Sequence, residues 1–178
     1  MYRQVLEFWF DELQPAMWWR KSAKLDERMR QRFAAVHRQA EQGELWAWRE
    51  TAAGRLAEII VLDQFSRNLW RDTPRSFGND GMALVLAQEA VAQGADQQLP
   101  VQQRSFIYMP FMHSESLLIH AQAVRLFATP GMERNLEVEL QHQDILQRFG
   151  RYPHRNQILG RESTAEELLF LQQPGSSF

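Results

Sequence analysis

Apolar residues recur along this chain at three- and four-residue intervals, with no convincing run of strict alternation, which predicts helices throughout and no strands. Val5, Leu6, Phe8, Trp9 and Leu13 fall close to helical spacing over residues 2–13, and Pro15 ends that first helix. Trp18 and Trp19 make an apolar plug. Leu25, Met29, Phe33 and Val36 mark one side of an amphipathic helix over residues 25–42, with Gly43 as its C-cap. Residues 45–53 read as a short, tryptophan-rich helical stretch, the tryptophans filling space between helices. Residues 55–70 are hydrophobic nearly all round, the mark of a central, buried helix.

A loop over residues 71–78, fixed by Pro74, precedes a helix that Asn79 or Asp80 caps and Gly94 stops. Pro100 opens a helical segment reaching about Phe127, which Pro110 is expected to kink or divide. Thr129-Pro130-Gly131 separates it from a helix over residues 133–149. Ser163-Thr164 followed by Glu166-Glu167 offers a capping box for a last helix ending near Leu171, and residues 172–178 are expected to fray. The prediction is therefore an all-α fold, one domain over residues 1–171. No 34-residue period is visible, so a regular repeat array is not indicated.

One connector stands out. Residues 148–161, RFGRYPHRNQILGR, carry four arginines and a histidine without an acid, and Gly150, Pro153 and Gly160 prevent one continuous helix. Other polar residues fall on apolar stripes. On the central helix, Asp63 and Arg67 continue the line of Leu56, Ile59 and Ile60, and Arg71 follows as the helix ends. An Asp–Arg pair facing the core costs desolvation, so it reads equally as a pin between helices or as part of a ligand site. His113 shares a stripe with Phe106, Met109, Leu117, His120 and Val124, whereas Glu115 points the other way if that helix is regular. A hydrogen-bonded core histidine is the simpler reading, with His113 and Ser114 compensating carbonyls freed by Pro110. His142, on the stripe of Val138, Ile145 and Phe149, reads either as a buried donor to a backbone carbonyl or as the floor of a pocket.

Composition narrows the classes. The formal charge of −2 gives no overall attraction to nucleic acid or to an anionic membrane. The 18 arginines against Lys21 and Lys24 favour planar anion recognition in principle, although a GC-rich coding bias explains the same excess. The absence of cysteine removes disulfides, thiolate metal sites and a cysteine nucleophile. No apolar run reaches the length of a membrane span and the N-terminal segment does not read as a secretory signal, so a cytoplasmic location is expected. Walker, dinucleotide-binding, zinc-protease and nucleophile-elbow signatures are missing. The histidines fall at no strong metal spacing and no cofactor is indicated, although ligation shared by His113, Glu115 and His142 from separate helices stays open.

The segments LDQFSRNLWRDTPRSFGND and YMPFMHSES, with the H-x-x-I-x-x-RFGRYPHRNQILGREST pattern near the end, resemble the bacterial family called domain of unknown function 924. VLEFWF, Trp18-Trp19 and Leu25-Asp26 fit its opening, so the resemblance covers nearly the whole chain. It implies a tetratricopeptide-like arrangement of stacked antiparallel helix pairs, and it carries no activity. Family positions include Asp63, Gln64, Arg67, Asn68, Arg71, Pro74, Phe77 and Asp80, then Pro110, His113, Ser114 and Glu115. They end with His142 and a dense set from Phe149 to Glu167 that includes Arg151, His154, Arg155, Asn156 and Arg161. Tyr152 stands where the family leads us to expect phenylalanine.

Three functions fit this pattern. In the first, Asp63, His113, Glu115 and His142 are candidate catalytic groups at a small-molecule site. Arg67, Asn68, Arg71, Arg151, His154, Arg155, Asn156 and Arg161 would bind the ligand, the arginines holding a carboxylate or phosphate while a histidine moves a proton. In the second, the chain is an interaction scaffold binding an acidic peptide from a protein partner. In the third, the polar groups are a structural network that holds an irregular connection. The first is the favoured expectation; nucleic acid and membrane are not expected partners.

Overall fold

The computed structural model describes residues 1–178. Helix α1 (Tyr2–Leu6) runs straight into a π-helical turn, Glu7–Glu12. Leu13 and Gln14 are extended, and Pro15 then opens α2 (Pro15–Trp18), where its missing N–H costs nothing. Helix α3 (Ala23–Glu41) starts with the Ser22 hydroxyl accepting the Leu25 N–H and is followed by left-handed Gly43. The tryptophan-rich stretch is a 3₁₀ turn, Trp46–Glu50.

Helix α4 (Ala52–Ile60), capped by the Thr51 side chain, begins three residues before the hydrophobic run. It continues through a π-helical turn, Val61–Phe65, into α5 (Ser66–Leu69). After a 3₁₀ turn, Pro74–Phe77, come α6 (Asp80–Ala92), α7 (Val101–Met112), α8 (Leu117–Phe127), α9 (Glu133–Phe149) and α10 (Ala165–Phe170). The whole chain is helical and turn, with no strand.

Every residue from Leu56 to Ser66 is buried. The α4 segment and its π-helical continuation touch α1, α3, α6 and α7, which explains an apolar surface on all sides. Around it the aromatic rings tile. Phe8 lies 4.9 Å from Phe33, Phe33 5.1 Å from Phe65, and Trp9 5.6 Å from Phe65 and 5.8 Å from Phe106. Not every tryptophan is interhelix filler: Trp19 is 61 % exposed, stacked on Phe106, and Trp46 is 66 % exposed. Helices α6 to α9 pack consecutively, each on the next, and their short connections turn neighbours antiparallel. No helix is long and apolar enough to cross a membrane.

Two departures from the sequence reading matter for the site. Pro110 does not divide the segment: it sits inside α7, which continues to Met112. The break comes later, at His113–Ser116, where Ser116 is extended. Residues 172–178 do not simply fray. Ser176 is buried, its hydroxyl donates to the Leu171 carbonyl at 3.1 Å, and the Phe178 ring lies 3.8 Å from that of His142.

Candidate functional site around His113

The π-helical turn in the central helix carries Asp63, which is fully buried. Such turns widen the helix locally and recur where a side chain must be aimed away from regular register. The Asp63 carboxylate meets His113 Nδ1 at 2.6 Å, Arg67 Nη1 at 3.1 Å and the Gln64 amide at 2.6 Å. Arg67 donates twice to Asp80, at 2.8 and 3.0 Å, and once to the Asp63 carbonyl at 2.9 Å. Arg155, from the Arg-rich connector, reaches the same Asp80 at 3.4 Å and the His113 carbonyl at 2.9 Å. Its guanidinium lies 4.6 Å from the Phe77 ring and 4.7 Å from Tyr152, a position that desolvates it while the ring faces attract it.

The electrostatics follow from this packing. Burial pushes the Asp63 carboxyl up, but His113 and Arg67 outweigh it and hold it well below the usual carboxylate range. Burial and Arg67 push His113 down, with Asp63 opposing. The neutral imidazole then donates Nδ1–H to Asp63, leaving the Nε2 lone pair as its free valence. Two carboxylates, Asp63 and Asp80, balance two guanidiniums, Arg67 and Arg155, so the cluster is neutral until His113 takes a proton. The His113 side chain is 13 % exposed, unlike the sealed carboxylate behind it.

His142 shows the same tautomer: its Nδ1 faces the Val138 carbonyl at 2.8 Å, so Nε2 is the bare nitrogen, and burial pushes its value down to about 3. His142 thus takes the first of its two readings, a buried donor to a backbone carbonyl, and its ring also packs 5.6 Å from that of Tyr152. His154, also pushed down to about 3 by burial, has a buried Nδ1 with no partner, as has the Nε of Arg155.

The connector itself is tied down charge by charge. Gly150 ends α9 at φ +69°, and a 3₁₀ turn, Pro153–Arg155, follows. Arg151 donates two bonds to Glu167, at 2.7 and 2.8 Å. Arg161 donates two to Glu115, at 2.7 and 2.9 Å, and one to Asn156. Asn156 in turn donates to Ser163 and Glu167, and Glu167 with Thr164 completes the predicted capping box of α10. Glu115 does not lie on the far side of a regular helix; it sits in the α7–α8 break, from which it also accepts the Tyr152 N–H at 2.8 Å. The arginines expected to be free anion forks are therefore already paired with carboxylates.

Asn68 and Arg71 do not join this cluster. They turn toward α3, where Asn68 donates to Asp26 at 2.8 Å and Arg71 donates twice, at 2.6 and 2.8 Å. His113 and Ser114 do not serve the carbonyls near Phe106 either: the histidine goes to Asp63, and the Ser114 hydroxyl accepts the Ser116 N–H. No group of three His, Asp or Glu side chains is arranged to hold a metal ion.

A deeper pair escaped the sequence reading. His120 and Glu139, both fully buried, meet at 2.6 Å, while the other nitrogen of His120 faces the Ser114 carbonyl at 2.8 Å. Two acceptors around one ring require the pair to hold one extra proton between them. The Tyr152 hydroxyl donates to the Met112 carbonyl at 2.5 Å and lies 3.1 Å from the same His120 nitrogen. Beside the connector a groove of about 740 Å³ opens, its lining drawn from His154, Gln157 and Arg161 and from Leu168, Leu171 and Ser176.

Fold and cluster together define a one-domain helical protein in which an Arg-rich connector is packed over a buried Asp–His–Arg group. The chain belongs to the family described as bacterial protein of unknown function, domain of unknown function 924, which it matches over residues 5–175. It is similar to a solved protein of unknown function from Agrobacterium tumefaciens, with 37% identity, 96% of each chain covered and a TM-score of 0.91. No curated protein matches the chain.

Proposed function

We propose that the chain binds a small anionic molecule at the exposed edge of His113 and exchanges a proton with it. The observation that carries this reading is the 2.6 Å contact between His113 Nδ1 and buried Asp63, which leaves Nε2 as the group able to meet a ligand. A buried carboxylate that fixes the tautomer of a partly exposed histidine is the arrangement a general base requires. Charge balance couples the two events. With His113 neutral the cluster has no net charge; protonation gives it one positive charge, so an anion and a proton enter together. Arg67 and Arg155 then act through the field of their shared pair with Asp80.

A thermal-shift screen of small carboxylates and phosphates, run at about pH 6 and about pH 8 around the ordinary histidine range, tests this. The expected result is a set of ligands that stabilise the wild type more at the lower pH, lose their effect in His113→Gln and keep it in Arg71→Ala. A folded His113→Gln variant that retains every wild-type ligand would overturn the reading.

A further inference from the structure

The Phe178 ring is packed among three other rings. It lies 3.8 Å from His142, 4.4 Å from His154 and 5.2 Å from Tyr152, and the Tyr152 ring in turn contacts both imidazoles. His142 comes from α9 and the other two from the connector, so all three rings are supplied by elements other than the segment that covers them. Phe178 is nevertheless 51 % exposed. Its segment is fastened by Ser176 to the Leu171 carbonyl and by turn bonds from Gln173 and Ser176, none of which reaches those three residues. A half-exposed ring over two neutral imidazoles and a phenol is a replaceable occupant.

We propose that His142, Tyr152 and His154 form a subsite for an aromatic ring, which Phe178 fills in this structure and yields to the ring of a ligand. The subsite adjoins the His113 cluster: Tyr152 touches the Arg155 guanidinium, which bonds the His113 carbonyl. This deepens the reading above and rests on it for the second half of the ligand. Together they specify an aromatic acid, its ring at His142 and its anionic group toward His113. Offset and edge-on ring contacts of this kind favour a flat ring over an aliphatic group of equal size.

Histidine acylation by diethyl pyrocarbonate, mapped by mass spectrometry on the full chain, reads the subsite without a known ligand. The reagent attacks a bare imidazole nitrogen; His142 keeps Nε2 bare, and its ring lies 3.8 Å from that of Phe178. Phe178→Ala is expected to raise the rate at His142 and His154 several-fold. His37 and His120, both fully buried, should stay unmodified and so report that the fold persists. Phe178→Leu, which keeps an apolar side chain, should give an intermediate rise.

Adding benzyl alcohol to Phe178→Ala should restore protection, and tert-butanol should not. Unchanged rates in Phe178→Ala, or protection by both alcohols alike or by neither, would overturn the subsite. The anionic half separates cleanly. Phenylacetate protecting better than benzyl alcohol, with that advantage lost on His113→Gln, supports the aromatic acid. Equal protection by the two keeps the ring subsite and removes the anion.

Discussion

Replacing Tyr152 with phenylalanine installs the residue the family pattern leads one to expect, and in this chain it should cost stability. Tyr152 is fully buried, so the ring stays packed and only the hydroxyl is lost. That hydroxyl donates to the Met112 carbonyl at 2.5 Å, at the end of α7 where the helix can no longer supply a partner, and it lies 3.1 Å from His120. Removing one member of a buried hydrogen bond leaves the other unsatisfied, at about 1–3 kcal/mol. Phenylalanine recovers part of this by avoiding the cost of burying a hydroxyl, so the expected loss is about 1–2 kcal/mol. For a domain of this size that is a fall in melting temperature of roughly 2–8 °C. Urea unfolding followed by circular dichroism measures it. Hydrogen exchange locates it, with faster exchange expected at the amides of His113 and Ser114 across the α7–α8 break. A Tyr152→Phe variant as stable as the wild type, with unchanged exchange there, would refute the assignment of this hydroxyl as the tie across the break.

Two more perturbations probe the same joint. Asp63→Asn removes the only carboxylate on His113 and one of two on Arg67; because Asp63 is fully buried, a loss of about 3–5 kcal/mol is expected in urea unfolding, and a loss within error of zero would contradict the buried pair. Glu167→Gln tests the clamp on the connector. Arg151 above all holds the Glu167 carboxyl at about 2, against an ordinary 4.5. A depressed folded-state value stabilises the protein above 4.5 and ceases to do so as pH falls toward 2. The variant should therefore be less stable than wild type at neutral pH, with the gap closing through that acid window; a gap independent of pH would refute the ion-pair account.

The helical fold was legible because periodicity reports burial. The all-round apolar run from Leu56 onward names the central helix, and Gly43, Thr164 and Glu167 name their caps. Asp63 and Arg67 were also legible as a pair, since charged side chains on a core-facing stripe must find partners; that His113 and Arg155 join them was one part of a wider expected convergence that also included Arg71, Glu115, His142 and Arg151. What periodicity cannot register is a change of period. The π-helical turn at Val61–Phe65 and the unwound His113–Ser116 break both alter which way side chains point. That is why Glu115 reached Arg161, and why Asn68 and Arg71 turned to Asp26. Partner choice among many arginines and acids is set by tertiary distance, so the pairing that neutralises the connector had no signature in spacing. Tyr152 gave only a weak signal, a polar atom at a position where none was expected. Phe178 gave none beyond being an apolar residue among serines.

The central claim is that Asp63 holds His113 as a neutral imidazole with its proton on Nδ1 and Nε2 free. A long-range ¹H–¹⁵N spectrum of the histidine rings, assigned with His113→Gln and followed from neutral to acid pH, reads that directly. The account predicts a protonated Nδ1 and a bare Nε2 at neutral pH, with charging only below the ordinary value of 6.5. A proton on Nε2, or a doubly protonated His113 ring at neutral pH, would contradict it.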